Sequence, residues 1–430
     1  MIGPLMLLPR DAVRHLEAEN AGSNGVVRFR HSASDELAVI SFVHNGTAGY
    51  SVSLRPRQHP MNSAALGGNG IWCRASADLH LAWYDIALRH ATKTSLEAFR
   101  GMLPMALKDP GTTGYVVLTY APDAAAAPYS EIPIPVFAAW FVTRSGVEPA
   151  RVAVEPETIG IDQIRPFWPV EDLSKVTVTV VGVGSIGGAA ARSLAGYGIG
   201  RLRLLDPDRL MWHNLVRHVL PDRFVGEYKV DGMRQLLAER HPDTVLEAYR
   251  LDVVNQADHV RGLLADTDIV LCCADGVAAR RAVSHLARRA RRSAILACVL
   301  DDGGIGEIIR LRPWADQGCL LCRRQALVDA KVIDPEPALE AEYGTGTLHR
   351  PMTAVGSDLF LMGDLAAKIT VASALEAAGH FEHRLPGEQL TVGLQARRGW
   401  TGPFDLGFTG QTRWTPAALP RPDCFTCGKP

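Results

Sequence analysis

The run Val176-Thr-Val-Thr-Val-Val181 ends directly in Gly182-Val-Gly184-Ser-Ile-Gly187, and an alanine-rich stretch follows to Tyr197. Alternating β-branched residues predict a strand, and the three glycines predict a tight turn opening a helix over Ile186–Tyr197. Such a turn lets backbone approach a phosphate at the helix N-terminus. The pattern continues with a strand at Arg201–Asp206 and a helix at Val230–Arg240. Another strand at Ile269–Cys273 precedes a helix at Val277–Arg291. Strands and helices alternating at this spacing predict an α/β architecture, a doubly wound parallel sheet with right-handed crossovers.

The first third of the chain reads differently. A helix is predicted from Pro9 to Glu17 and another over Ser95–Ala106. Strands are predicted at Leu37–Val43, Gly114–Tyr120 and Ile134–Val142. This mixture predicts an α+β N-terminal domain. The Ala- and Pro-rich stretch Pro122–Pro135 reads as a surface loop. Glu155-Pro-Glu-Thr, followed by Pro166 and Pro169, marks a break, so the expected domains are 1–155 and 156–430.

Charge argues against broad attraction to nucleic acid or membrane, since the formal net charge of the 430-residue chain is -1. No apolar run has the roughly 18 residues that a membrane-spanning helix needs. Eight cysteines are present. Four form the pairs Cys319-Leu-Leu-Cys322 and Cys424-Phe-Thr-Cys427; Cys73, Cys272, Cys273 and Cys298 are scattered in apolar sequence. That usage fits reduced thiols in a cytoplasm better than a disulfide framework. Two Cys-x-x-Cys pairs supply four thiolates for a tetrahedral Zn2+ with no open position, a structural zinc site.

The residues after the glycine turn narrow the chemistry. Asp206 ends the next strand, where a carboxylate can take ribose hydroxyls. By itself this suits dinucleotide enzymes as well as ATP enzymes. Asp208, Asn214 and Arg217 follow, then Lys229 in Gly226-Glu-Tyr-Lys229, and Asp275 directly after an apolar strand. Hydride transfer has no use for such a set at one sheet end. A triphosphate does: arginine and lysine offset phosphate charge, and a carboxylate can hold Mg2+.

In this order the motifs G-x-G-x-x-G, L-L-D-x-D, N-x-x-R, G-x-x-K, Ala-Asp-Gly at 274–276 and the paired C-x-x-C resemble the adenylating enzymes that activate ubiquitin and ubiquitin-like proteins. That superfamily includes the ThiF/MoeB-like bacterial sulfur-carrier adenylyltransferases. The resemblance covers about residues 161–430 and implies a Rossmann-like fold. It implies ATP over Gly182, Gly184 and Gly187 with its ribose on Asp206 beside Asp208. It implies phosphate contacts from Asn214, Arg217 and Lys229, and Mg2+ on Asp275. The partner implied is a ubiquitin-like or sulfur-carrier protein ending in Gly, with a conjugating enzyme and a homodimer in view. Adenylation of a ribosomal peptide and an inactive scaffold stay open as alternatives.

Two departures stand out. Family members begin with an Arg-Gln-Ile/Leu segment whose arginine reaches across the dimer; here Asp162 takes that place in Ile161-Asp-Gln-Ile-Arg165, with Arg165 as a substitute. Conjugating members also carry a nucleophilic cysteine in a crossover loop, yet no cysteine lies between Cys322 and Cys424. The loop expected here runs from Val328 to Arg350. Cys272, Cys273 and Cys298 read as core residues.

The N-terminal domain leaves three readings open. Leu5–Val13 and Phe137–Gly146 resemble parts of JAB-type isopeptidase domains, but the metal-binding His-x-His is missing; Trp83-Tyr-Asp85 with Ser95 and Glu97 has no histidine pair. His59-Pro60-Met-Asn62 followed by Cys73 resembles the motif of ubiquitin-conjugating domains, although a buried structural Cys73 is favoured. A decayed adenylation domain is the third. All three imply a surface that binds a partner protein.

Overall fold

The computed structural model describes residues 5–32, 37–52, 66–88, 94–126, 131, 133–158, 160–300, 303–333, 354–396 and 401–428. The chain forms two compact units, Met1–Ile159 and Gly160–Pro430. His59, Pro60, Asn62 and the far half of the expected crossover loop lie outside the described residues.

In the first unit the strands are β1 (Leu5–Leu8), β2 (Asn24–Ser32), β3 (Leu37–His44), β4 (Gly49–Ser51), β5 (Leu66–Arg74), β6 (Tyr115–Tyr120), β7 (Phe137–Thr143), β8 (Gly146–Ala150) and β9 (Val152–Val154). Helices α1 (Arg10–Glu17), α2 (Ala77–Leu88) and α3 (Leu96–Met102) accompany them. The sheet order is β8-β7-β6-β5-β2-β3-β1-β9, with β4 on β3. α1 starts after Pro9, whose fixed φ suits a helix entrance, and buries Ala12, Val13 and Leu16. Ser95 caps α3 by accepting from the Ala98 amide at 3.1 Å. Strands β2, β5, β8 and β9 and helix α2 were not legible in the sequence; β5 carries three glycines in Leu66–Arg74, which weaken the strand pattern.

The second unit holds α4 (Val170–Leu173), β10 (Thr177–Val181), α5 (Ser185–Gly196), β11 (Arg201–Leu205), α6 (Lys229–Arg240), β12 (Val245–Tyr249), α7 (Ala257–Leu263), β13 (Ile269–Cys272), α8 (Val277–Arg289), β14 (Ser293–Leu300), β15 (Ile305–Leu311), α9 (Leu320–Asp329), α10 (Gly356–Ala377), β16 (Gln389–Gly393) and β17 (Thr412–Thr415). Its sheet order is β12-β11-β10-β13-β14-β15-β16-β17. The first five strands of that path are parallel, and the last three are antiparallel. The expectation of a wholly parallel sheet is thereby corrected to a mixed one. The physical reason is length: the link from Leu300 to Ile305 is far too short for a parallel crossover, which needs about a dozen residues.

Small residues set the closest packing. A Cβ on Gly363 of α10 would stand 2.4 Å from the Ile186 carbonyl and 2.8 Å from the Ala189 side chain. α5 and α10 therefore approach backbone to backbone, which the run Gly187-Gly-Ala-Ala190 permits. α8 spans the unit. Its first turn lies at the C-terminal ends of the parallel strands. Further along, Ser284 accepts from the Leu320 amide at 3.2 Å, and His285 meets Thr426 at 3.1 Å. Among the described residues, no helix is long and apolar enough to cross a membrane.

Candidate functional site: a charged trough at the strand ends

A cavity of about 510 Å³ opens where β12, β11, β10 and β13 end. That size lies within the usual range for small-molecule sites. Gly182, Gly184, Asp206, Asp208, Asn214, Arg217, Lys229 and Asp275 all line it. These eight come from positions 182 to 275, and the parallel topology brings them to one edge.

The glycine turn is held by backbone geometry. Gly182 has φ +82°, and a Cβ there would lie 2.7 Å from the Ala274 amide nitrogen. Both the angle and the contact exclude other side chains. Gly184 has nothing within 4 Å of its Cβ position, so its backbone faces open space at the start of α5. Gly187 does not line the cavity. It packs behind the turn, where a Cβ would stand 1.8 Å from the Gly182 carbonyl.

Asp206 is buried and braces this turn. The Val183 amide donates to its Oδ2 at 2.7 Å, and the Asp208 amide to its Oδ1 at 2.8 Å. Burial pushes its carboxyl above the ordinary carboxylate range, while the Lys229 charge and the two amides pull it back. Lys229, itself buried, donates to Asp208 Oδ2 at 2.8 Å and lies 4.0 Å from Asp206 Oδ1. Asn214 accepts from the Met211 amide at 2.9 Å, tightening the loop that carries Arg217. Arg217 is half-buried and, among the described residues, makes no ion pair.

Asp275 reaches into the cavity from the N-terminal approach to α8. The protein packed around it pushes its carboxyl upward, opposed by the charges of Lys229, Arg217 and Arg280. Such a carboxylate gains from a cation beside it. Two cavity features were missed in the sequence. Leu251, Asp252, Val253 and Val254 form the wall after β12. His218 donates from Nε2 to the Val183 carbonyl at 2.8 Å and accepts at Nδ1 from the Leu220 amide at 3.1 Å. Burial pulls its pKa down to about 4, so it is a neutral strut under the glycine turn. Its one sequence signal was its place directly after Arg217.

The second cluster is Cys319, Cys322, Cys424 and Cys427. Sulfur–sulfur distances are 3.9 Å for Cys319–Cys322, 3.6 Å for Cys319–Cys424 and 3.8 Å for Cys322–Cys427. Tetrahedral Zn–S bonds of about 2.3 Å give edges of about 3.8 Å, so the set is sized for such an ion. Amides of Cys319 and Arg421 donate to Cys427 and Cys322 sulfurs at 3.2 and 3.3 Å. Among the described residues, this is the one group of three or more His, Cys, Asp or Glu close enough to share a metal.

The other cysteines divide. Cys73 is fully buried in β5, and burial pushes its thiol to about 12. Cys272 and Cys273 are buried, the latter beneath the cavity. Cys298 departs from its core reading: it is half-buried, and Arg280 Nη1 lies 3.1 Å from its sulfur. Arg165 is exposed and paired with Asp162 at 2.7 Å and Glu171 at 2.9 Å.

Residues 158–379 match the model of the ThiF family. The chain is 32% identical over 182 residues to a ubiquitin-like modifier-activating enzyme 5 of Arabidopsis thaliana, covering 38% of this chain and 41% of that protein. It is 40% identical over 113 residues to the molybdopterin-synthase adenylyltransferase of Salmonella typhimurium (26% and 44% of the two chains). It is 31% identical over 146 residues to the sulfur carrier protein ThiS adenylyltransferase of Escherichia coli (34% and 57%). The chain thus spans less than two thirds of each of these relatives. The crystal structure of E. coli MccB with ATP is 19% identical with a TM-score of 0.44, covering 60% of this chain and 68% of that one.

Proposed function

The chain belongs to the ThiF family, and on that premise we propose that its second unit adenylates the C-terminal carboxylate of a small protein, using ATP. One observation carries the reading. A buried lysine, a second cation, a helix N-terminus without side chain at Gly184 and the Asp275 carboxylate line one cavity. Lys229 and Arg217 would offset triphosphate charge, and the N-terminus of α5 would take a phosphate. Asp206 and Asp208 hold the Lys229 ammonium in place. Asp275 would hold Mg2+, which supplies further charge neutralisation to the phosphates.

The reaction needs little from the protein beyond position and charge. A carboxylate oxygen of the substrate bonds to the α-phosphorus, and the bridging bond to the β-phosphate breaks. Pyrophosphate leaves with the electron pair. The carboxylate is ionised near neutral pH, so no general base is required.

Relatives carry names of ubiquitin-like activating and of sulfur-carrier enzymes, and both substrate classes suit this cavity. The bacterial-type ubiquitin-like conjugation reading is preferred because a large N-terminal unit accompanies the adenylation unit. We assign that unit to partner binding. The absence of cysteine between Cys322 and Cys424 favours the second reading, a sulfur-carrier or peptide adenylyltransferase without a thioester step on that loop. A homodimer is supported by exposed Trp212, Val216 and Val355 beside the cavity, 73%, 79% and 61% exposed. The four-thiol cluster would hold Zn2+ as a structural clamp of the C-terminal segment onto α8, and its reduced thiols support a cytoplasmic setting.

Exchange of labelled pyrophosphate into ATP, driven by candidate small proteins ending in Gly, tests the reading. Asp275→Ala should abolish exchange with an unchanged circular dichroism spectrum; retained exchange removes the Mg2+ role. Cys322→Ser should lower both zinc content and melting temperature, and unchanged zinc stoichiometry removes the tetrathiolate.

A further inference from the structure

One cation beside the trough makes no ion pair among the described residues. Arg280 sits in the first turn of α8, next to Ala278 and Ala279, which line the cavity. Its Nε is enclosed and has no acceptor. Among the described residues its one hydrogen-bond partner is the Cys298 sulfur, 3.1 Å from Nη1. The neighbouring carboxylate, Glu307, is engaged elsewhere. It pairs with Arg324 through both guanidinium ends, one at 2.9 Å, and accepts from Gln389 at 2.6 Å. Buried cations are normally paired, because an uncompensated charge away from water is unfavourable. A half-buried arginine that makes no ion pair among the described residues, one position along α8 from the cavity lining, keeps donor capacity for an anion.

The topology says which anion. The trough crosses consecutive strand ends in the order β12, β11, β10, β13. Its β11–β10 part has the N-terminus of α5, Lys229 and Arg217, which serve the triphosphate in the reading above. Its β13 end has a second helix N-terminus, that of the 13-residue α8, whose Ala278 and Ala279 amides are free of intrahelical acceptors at its first turn. The charge of Arg280 is felt at Asp275, which stands between the two ends.

We propose that Arg280, with the N-terminus of α8, binds the terminal carboxylate of the acyl substrate and presents it to the α-phosphate. This deepens the adenylation reading and rests on it. Arginine suits the task because its planar fork matches a carboxylate, which a lysine ammonium does not. Arg280 is thus a substrate-binding residue, and Cys298 is the neighbour that keeps its guanidinium in place before substrate arrives.

The test uses the full chain, saturating Mg2+ and a non-hydrolysable ATP analogue, with N-acetylglycylglycine as the carboxylate probe and its C-terminal amide as the control. Calorimetry should show the acid binding at least about tenfold tighter than the amide, and Arg280→Met should weaken the acid roughly thirtyfold or more, the usual penalty for losing one partner of an enclosed charge pair. Affinity for the ATP analogue and for inorganic pyrophosphate should be unchanged. Equal affinity for acid and amide, or no binding of either, overturns the assignment. So does an Arg280→Met chain that loses pyrophosphate or analogue binding instead, because the group would then serve the polyphosphate. If Arg280→Met fails to fold, Arg280→Gln, which keeps a donor for Cys298, is measured in its place with the same outcomes. An analogue that fails to bind the parent chain sinks the adenylation reading itself; an analogue that binds beside a probe that does not sinks only the role of Arg280.

Discussion

Each unit buries a histidine, and the two histidines behave alike. His80 in the first unit contacts the Pro135 carbonyl through Nδ1 at 2.6 Å and Thr119 Oγ1 through Nε2 at 2.8 Å. His218 in the second unit contacts the Val183 carbonyl and the Leu220 amide. Burial pulls both down to about 4. Their surroundings differ. Around His80 the polar groups close on one another: the Thr119 hydroxyl lies between His80 Nε2 at 2.8 Å and the Ala138 carbonyl at 3.2 Å, and Trp140 donates to it. Around His218 lies a trough whose Arg217, like Arg280 on the adjoining helix, makes no ion pair among the described residues. A perturbed, doubly bonded histidine is therefore no mark of function by itself. Hydrogen-bonding and charge capacity left open is the better sign.

The largest effect that would sharpen this contrast is on chemistry. Lys229→Ala should lower pyrophosphate exchange by about 100- to 1000-fold, the range for losing one electrostatic group of an active site. The melting temperature should fall as well, since buried Asp206 loses the charge beside it even though exposed Asp208 can be solvated. Exchange at the parent level would break the contrast.

Acid should act on both units alike. Each histidine is pulled down, so the unfolded chain takes up a proton near pH 6.5 that the folded chain refuses until about pH 4. Stability is then full above pH 6.5 and is lost as pH falls toward 4, by roughly 3 kcal/mol per histidine. Urea melts at pH 7 and pH 4.5 measure this. His80→Asn should flatten the first unit's share of the slope, and an unchanged slope would remove His80 from the account. The raised Asp275 carboxyl predicts that exchange activity fails on the acid side at a higher pH than an ordinary carboxylate allows.

The smallest effect concerns Cys73. Replacing this buried thiol by alanine should lower stability by about 1 kcal/mol and leave exchange and any enzyme-linked adduct unchanged. Loss of a reductant-sensitive adduct in Cys73→Ala would reopen the conjugating-type reading of the first unit and end its description as a closed core.

Much of the trough was legible before folding was considered. Val176–Gly187, Asp206 and Asp275 sit at strand ends that spacing predicts, and Lys229, at the start of α6, was marked by its place in the motif order. Gly187 was legible as a motif glycine but not in its task, which depends on the carbonyl of Gly182 behind it. Arg280 was illegible, because its meaning lies in Glu307 being occupied by Arg324 and Gln389. No residue spacing reports which of several arginines a carboxylate will choose.

The amino-acid order by itself determined the βαβ rhythm, the tight glycine turn over 182–187 and the supply of four thiols in two pairs. These are local: they follow from dihedral limits and from side-chain period over a few residues. Only the tertiary structure decided the antiparallel extension by β15, β16 and β17, the meeting of Cys322 with Cys427, and the engagement of Glu307 by Arg324 rather than Arg280. Those features join residues up to 105 positions apart, and contacts at such range are chosen by packing of the whole core rather than by any segment's own preference.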